Sequence, residues 1–194
     1  MQTALVIGIF QKYNYSKYMR LDIPYYSQFL DVEDQYWMPR ACGFACMKMI
    51  YDYFDVKGED ITQLAEKALN NDGYGSSGLV HDYVVEEFKR AGLSAYRREG
   101  MDAGEGVGEL EAALRAGNPV IVSGDKIIFG QHKFHMVVLS GLKEKEDIEG
   151  APELEGFYIH DPENLSHKKG KHIYVSLHDF LTSWRGKAIF VSRK

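Results

Sequence analysis

The chain has 194 residues, of which 45% are hydrophobic and 26% charged, and these values allow one globular domain, or one domain of two lobes, with a sizeable buried core. They exclude disorder as the general state of the chain. A formal charge of −5 and a pI near 5.8 argue against a nucleic-acid or polyphosphate binder, since such proteins cluster Lys and Arg. We therefore expect no nucleic-acid partner. The composition indicates no particular oligomeric state.

The amino terminus reads MQTALVIGIF, a short apolar run with no basic residue before it and no small-residue cleavage site soon after it. It is thus a weak secretory signal. No stretch offers the roughly 20 apolar residues that a membrane span needs. The two cysteines lie four residues apart on one predicted helix, which fits disulfide geometry poorly, so reduced thiols are expected. These features predict a cytoplasmic protein without a membrane span, and they leave export of a trimmed precursor open.

Residues 20–117 are predicted to be mainly helical. Segment 21–29 (LDIPYYSQF) alternates in polarity and contains Pro24, which is typical of an edge strand or an extended segment. Apolar residues recur at helical spacing from Cys42 to Phe54, which predicts the first helix. Three more helices are predicted: 61–70, capped by Asp60; 78–92, capped by Ser77 and closed by Gly92; and 107–117, ended by Gly117.

From residue 118 onward the pattern changes from helical to extended. Five segments rich in β-branched and aromatic residues predict strands over 118–124, 134–142, 156–162, 171–177 and 187–192. The charged segment 143–156 is interpreted as an exposed hairpin insertion. Helices followed by strands predict an α+β domain. Its expected parts are an N-terminal extension (1–19), a mainly helical lobe (20–117) and a mainly β lobe (118–194).

Cys42 is predicted to lie at or next to the amino terminus of the first helix. Unpaired N–H groups and the positive end of the helix dipole stabilise a thiolate there, which lowers the pKa of the thiol. Cys46 lies one turn further in and loses most of that field. Gly43 is expected to let a substrate backbone approach closely. Cys42 is therefore the candidate nucleophile, and a purely structural cysteine is the alternative.

A nucleophilic cysteine needs a base that a third group orients. Among seven histidines, His135 opens an apolar run with the character of a buried strand, and His132 in the preceding loop is its competitor. Asp161 ends a predicted strand before Pro162, where it could orient the imidazole or cap the turn. Asn164 could orient the imidazole instead. The other five histidines are interpreted as structural or exposed.

Six motifs follow one another in the order IPYYSQ (23–28), ACGFAC (41–46), GNPVIVS (117–123), HMVVLSG (135–141), YIHDP (158–162) and HDFLTSW (178–184). Together they resemble the C39-like peptidases, a bacterial branch of the papain-like cysteine proteases, from about residue 20 to the carboxyl terminus. The resemblance implies a papain-like fold, in which a helical lobe carries the nucleophile and an antiparallel sheet carries the base. The site is then expected in the cleft between them.

Carried over to this chain, the resemblance implies that Cys42 is the nucleophile, His135 the general base and Asp161 the orienting acid. It also implies that the Gln28 amide and the Cys42 backbone N–H hold the oxyanion, with Gln35 as an alternative donor. The expected activity is a cysteine peptidase that hydrolyses peptide bonds of a peptide or protein substrate without a cofactor or metal. Transfer of the acyl group to an amine other than water is an alternative use of the same thiolate.

Two positions depart from the family pattern, since Phe44 stands where proline is usual and Cys46 replaces a serine. Neither change removes a catalytic atom. Two readings from other classes also compete: a papain-like module that binds peptides without cutting them, and a zinc site of Cys42, Cys46, His132 and His135. The zinc site is disfavoured because the cysteines open an amphipathic helix rather than a tight knuckle.

Overall fold

A computed structural model describes residues 17–76, 78–126, 131–146, 149 and 151–194, without the side chains of residues 126 and 131–133. Its helices are α1 (Cys42–Tyr53), α2 (Ile61–Asn70), α3 (His81–Arg90), α4 (Glu105–Arg115), α5 (His167–Gly170) and α6 (Leu177–Ser183), and a 3₁₀ turn (Met38–Arg40) precedes α1. Among the described residues, no helix is long and apolar enough to cross a bilayer.

The strands form one large antiparallel sheet and one small hairpin. They are β1 (Lys17–Arg20), β2 (Tyr74–Gly75), β3 (Gly78–Leu79), β4 (Leu93–Arg98), β5 (Val120–Lys126), β6 (Gln131–Glu146), β7 (Pro152–His160), β8 (Ile173–Ser176) and β9 (Trp184–Arg193). The large sheet has the order β4-β9-β5-β6-β7-β8, and β1 pairs with the later part of β6. The hairpin pairs β2 with β3. This mixture of helices with an antiparallel sheet confirms the predicted α+β class.

Strand β6 is buried on both of its faces, which explains its nearly continuous apolar run. Met136 and Val138 join the core that contains α1, α2 and α3. Val137 and Leu139, which alternate with them, join the core beneath α4 and α6. The first helix is thereby packed directly against the strand that carries His135.

Local sequence rules account for several boundaries. The Asp60 side chain accepts from the backbone N–H of Gln63, while the Gln63 side chain accepts from the backbone N–H of Asp60. This capping box starts α2 where predicted and is worth about 1 kcal/mol. Gly92 and Gly117 follow α3 and α4 with φ of +87° and +78°, the left-handed conformation that ends many helices.

Other boundaries differ from the prediction. Helix α3 begins at His81 rather than near residue 78, because Gly78 and Leu79 are drawn into the hairpin with β2. Ser77, the predicted cap, lies outside the described residues, as does most of the N-terminal extension. Strand β4 joins the large sheet by pairing with β9, and the sequence pattern did not predict this strand. The division into two lobes at residue 117 stays a prediction.

Candidate active site

Helix α1 begins at Cys42 without any side-chain cap and without an acidic residue in its first turn. Its first N–H groups therefore keep their hydrogen-bonding capacity, and the positive end of the helix is not neutralised locally. The Cys42 residue is partly exposed and lines a cleft of about 650 Å³. A thiolate at this position receives the field predicted from the sequence.

Aromatic packing fixes the start of α1 in place of the usual proline. The ring of Phe44, which is fully buried, lies 5.8 Å from that of Trp37 and 5.9 Å from that of Tyr74, measured between centroids. Trp37 and Tyr74 also meet edge to face at 5.1 Å. Each such pair contributes about 0.5–1.5 kcal/mol beyond its buried area. At position 44, side-chain contacts of phenylalanine thus take the place of the backbone restriction that proline would impose.

Gly43 lies close to two side chains that pack over the start of α1. A Cβ atom at this position would lie 2.5 Å from Cδ2 of Leu79 and 2.9 Å from Sδ of Met136. Both neighbours line the cleft, so the missing side chain lets the hairpin close over the start of α1. Gly43 itself also lines the cleft, and the expectation that it admits the backbone of a substrate stays a prediction.

His135 and Asp161 form a buried pair on neighbouring strands of the sheet. Nε2 of His135 donates to Oδ1 of Asp161 over 2.7 Å, and both side chains are at least 95% buried. The same oxygen accepts from the backbone N–H of Glu163 at 3.0 Å. Asp161 therefore accepts hydrogen bonds both within its own turn and from the imidazole of His135. No hydrogen bond links Asn164 to His135 within the described part of the chain.

Cys42 and His135 shift each other's pKa. Burial opposes ionisation of the Cys42 thiol, but its interaction with His135, aided by the Met136 backbone, outweighs burial and lowers the pKa. Burial likewise disfavours the imidazolium, yet Asp161 and Cys42 raise the pKa of His135 to about 10. Both shifts favour the thiolate–imidazolium form of the pair over the neutral form.

Cys46 lies in a different environment, although it is only one turn further along α1. Its side chain is fully buried, and its Sγ donates to the Met136 carbonyl over 3.4 Å. Burial, together with the charges of Cys42 and Asp161, raises the pKa of this thiol well above its ordinary value. Cys46 is therefore a buried thiol that packs in the core and is held protonated.

The predicted oxyanion donors lie in two different places. Gln28 is fully buried and donates from Nε2 to the Met38 carbonyl over 2.9 Å, just before the start of α1. Gln35 lies exposed in the turn before the 3₁₀ segment. Neither glutamine is among the described residues that line the cleft. Gln28 is the one held next to the segment that leads to Cys42.

The cleft contains a histidine that was interpreted as structural or exposed. His81 lines the cleft at the start of α3, and its Nε2 lies 3.1 Å from Oγ of Ser123. Burial and the nearby Lys187 lower the pKa of His81, so its ring is neutral at neutral pH. The helical pattern of the sequence placed His81 on a helix but did not indicate a cleft. The hairpin that packs over the start of α1 brings this residue to the cleft.

Glu163 is a second carboxylate beside the imidazole that the sequence did not single out. Its Oε1 lies 4.0 Å from Nδ1 of His135, and its side chain is almost fully buried. The spacing Asp-Pro-Glu after a strand was the available signal, because the turn at Pro162 folds residues 161 and 163 to the same side. Its negative charge acts against ionisation of Cys42.

The alternatives for base and metal gain little support. His132 lies in β6, but its side chain lies outside the described residues. Cys46 is engaged with a backbone carbonyl, and Nε2 of His135 is engaged with Asp161. No cluster of three or more potential metal ligands occurs among the described residues.

A helix that begins at a cysteine and packs on an antiparallel sheet carrying a histidine and an acid is the papain-like cysteine protease fold. The sequence matches the Peptidase_C39 like family over residues 20–188. Since the match covers most of the chain, the chain belongs to the C39-like peptidase family. No match to a curated protein was found.

Three solved structures share the fold at low identity. A candidate C39-like peptidase from Bacillus anthracis has a TM-score of 0.61 and 17% identity, covering 91% of this chain and 98% of that one. A double glycine motif protease from an AMS/PCAT transporter, solved with its leader peptide, has a TM-score of 0.57 and 17% identity, covering 90% and 94%. The peptidase domain of Streptococcus ComA, a bifunctional ABC transporter, has a TM-score of 0.55 and 20% identity, covering 80% and 93%.

Proposed function

We propose that this chain is a cysteine peptidase in which Cys42 is the nucleophile, His135 the general base and acid, and Asp161 the residue that orients the imidazole. One observation carries the proposal: a thiol with a lowered pKa lies at an uncapped helix start and opens onto a cleft. The imidazole beside it is fixed by a buried carboxylate. Membership of a peptidase family adds support.

The hydrogen bond to Asp161 supports different tasks for the two nitrogens of His135. Nε2 holds its proton against Asp161, so Nδ1 is the atom that exchanges a proton on the side of Cys42. The thiolate attacks the peptide carbonyl carbon, and Nδ1–H then protonates the leaving amine as the C–N bond breaks. Water, losing its proton to Nδ1, adds to the thioester and releases the acid and the thiolate.

Stabilisation of the tetrahedral oxyanion is assigned to the backbone N–H of Cys42 and the amide of Gln28. One Nε2–H of Gln28 is used on the Met38 carbonyl, which fixes the amide, and the other is the donor proposed for the oxyanion. Loss of one such donor costs about 10²- to 10³-fold in kcat. Gln28→Ala should therefore lower kcat by about that amount, while Gln35→Ala should leave it unchanged; the reverse result would reassign the donor.

The substrate is proposed to be an unstructured peptide. A cleft of about 650 Å³ between the hairpin, α1 and the sheet suits several residues of an extended chain. The structural neighbour that was solved with a leader peptide supports a peptide ligand for this fold.

The test is cleavage of a mixture of unstructured peptides, with new termini located by mass spectrometry. Wild-type protein and Cys46→Ser should cut, and Cys42→Ala should not; Ser at position 46 keeps a donor for the Met136 carbonyl, so it controls for loss of a thiol. Peptides bound by the wild type but never cut would favour the binding module. Products joined to an added amine would favour acyl transfer.

A further inference from the structure

The walls of the cleft carry an excess of positive charge. Apart from Cys42 and His135, the charged residues that line it within the described part of the chain are Arg40, Asp82, Arg97, Glu99, Arg185 and Lys187. Four of them neutralise one another, because Arg97 pairs with both Asp82 and Glu99, and Nζ of Lys187 lies 3.1 Å from Glu99. Two arginines are left, in a chain whose formal net charge is −5.

Each of these two arginines is held by an aromatic ring instead of an acid. The guanidinium of Arg40 lies 4.5 Å from the Tyr36 ring centroid, and its Nη1 donates to the Tyr36 carbonyl over 2.8 Å. The guanidinium of Arg185 lies 4.0 Å from the Phe134 ring centroid. Neither has a carboxylate partner among the described residues. Stacking of this kind positions a guanidinium while leaving its N–H groups available.

A backbone irregularity directs Arg185 towards the cleft. Ser123 of β5 pairs with Lys187, but the next residue pairs with Trp184, so residues 185 and 186 bulge out of β9. Gly186 has φ of +62°, and a Cβ there would lie 2.6 Å from the Met101 carbonyl oxygen. Only glycine fits, and such bulges re-aim side chains next to active sites.

The two arginines flank the reacting pair from opposite walls. Arg40 ends the 3₁₀ turn two residues before Cys42, on the helical side. Phe134, which supports Arg185, immediately precedes His135 on the sheet side. Because Arg40, Arg185 and Cys42 line the same cleft, we expect a peptide bound with its carbonyl at Cys42 to come near both guanidinium groups.

We propose that Arg40 and Arg185 select substrates with acidic side chains close to the scissile bond. This inference rests on the proposed peptidase function and names its substrate class: peptides with Asp or Glu on either side of the bond that is cut. Planar guanidinium groups bind carboxylates through paired hydrogen bonds. The internal Arg97 network leaves these two cations as the part of the cleft that a substrate can neutralise.

The experiment compares three pools of internally quenched peptides that are identical except at the positions flanking a randomised centre. Those positions carry Asp and Glu in the first pool, Asn and Gln in the second, and Lys and Arg in the third. The acidic pool should be cut with the highest kcat/KM, about tenfold above the amide pool at low salt, and this advantage should shrink at high ionic strength. Equal rates, or a preference for the basic pool, would overturn the inference and leave the peptidase proposal standing.

Variants identify the residues responsible. Arg40→Gln and Arg185→Gln should each reduce the acidic-pool advantage about threefold while changing cleavage of the amide pool little. Arg193→Gln is the matched control, because Arg193 also lies over a ring, that of Phe54, but outside the cleft. An unchanged preference in the double variant Arg40→Gln/Arg185→Gln would contradict the assignment.

A failure of catalysis is distinguished by binding. If no pool is cut, the peptidase proposal fails, and the same pools are titrated against Cys42→Ala protein by fluorescence anisotropy. Tighter binding of the acidic pool, lost in the arginine variants, would still support the charge preference. Equal binding of all pools, or binding of none, would overturn it.

Discussion

Two buried histidines of the same sheet, His135 and His160, have opposite acid–base properties. Burial lowers the pKa of both imidazoles, and for His160 it carries the pKa down to about 3. At His135 the carboxylate of Asp161, 2.7 Å away, and the Cys42 thiol reverse that effect and bring the pKa to about 10. The neighbouring group therefore decides whether each imidazole is charged, and burial determines how strongly that group shifts the pKa.

The region around His160 contains no carboxylate that faces its ring among the described residues. Its Nε2 lies 3.3 Å from Nδ1 of His172, which has a pKa lowered to about 4 by burial and by Lys171. Its ring meets that of Tyr25 edge to face at 5.7 Å. Although His160 and Asp161 are adjacent in the chain, the first belongs to a neutral structural cluster and the second to the candidate active site.

The largest expected effect comes from removing the negative charge of Asp161, which lies beside His135 and has no counterpart facing His160 among the described residues. Asp161→Asn keeps the size and an acceptor oxygen, but it takes away the ionic partner of His135, so the pKa of that imidazole should fall and the ion pair with Cys42 should be lost. We expect kcat/KM to drop about a hundredfold or more. Initial rates on the acidic peptide pool measure it.

Asn164→Ala is the matched control for that substitution, because Asn164 lies in the same turn without a hydrogen bond to His135. Its activity should stay within about twofold of wild type. A large loss at Asn164 with little at Asp161 would reverse the assignment of the orienting residue.

The second prediction concerns stability in acid. Folded protein keeps His160 neutral down to a pH of about 3, while in the unfolded chain a histidine takes up a proton near pH 6.5. The stability that this group contributes is therefore complete above about pH 6.5 and is lost as the pH falls towards 3. Between pH 6.5 and 5 the contribution of His160 to the free energy of unfolding should decrease by about 2 kcal/mol, and His172 should add a decrease of the same sign to the total measured by urea denaturation.

In His160→Gln this decrease should be clearly smaller, whatever the variant's stability at pH 7. His178→Gln serves as the control, since His178 is exposed on α6, and it should keep the wild-type slope. A wild-type stability that does not change between pH 6.5 and 5 would show that folded His160 accepts a proton as readily as the unfolded chain.

The smallest expected effect comes from Glu163, the second acid near His135. Its charge raises the pKa of the Cys42 thiol, so Glu163→Gln should lower that pKa. The pH profile of Cys42 alkylation should then move to lower pH. Glu155→Gln, on the distant β7 hairpin, should not move it, and a shift to higher pH in Glu163→Gln would contradict the electrostatic account.

Local sequence patterns were sufficient to predict most of the helices and strands. Helical spacing from Cys42, the capping residue Asp60 and the apolar run after His135 each reflect interactions within a few residues, so the sequence predicted α1, α2 and the central strand. The strand β6 is longer than expected at both ends, because its polar ends are paired with β1, β5 and β7.

The remaining features depend on contacts between distant segments. Strand β4 is defined by its pairing with β9, and His81 reaches the cleft because the hairpin packs over Gly43. The charge excess of the cleft likewise could not be predicted, since Arg40 and Arg185 are 145 positions apart and become neighbours of one cleft only after folding. Local sequence patterns do not indicate which distant segments come into contact in the folded protein.

The central claim is that Cys42 is ionised next to a charged His135, and the most direct measurement is the rate of iodoacetamide alkylation against pH, with the modified residue located by mass spectrometry. The account predicts rapid labelling of Cys42 at pH 6, where an ordinary thiol is protonated, and no labelling of Cys46 in the folded protein. A Cys42 rate that rises only around pH 8.5, as for a free cysteine, or a Cys42 labelled only after denaturation, would contradict it.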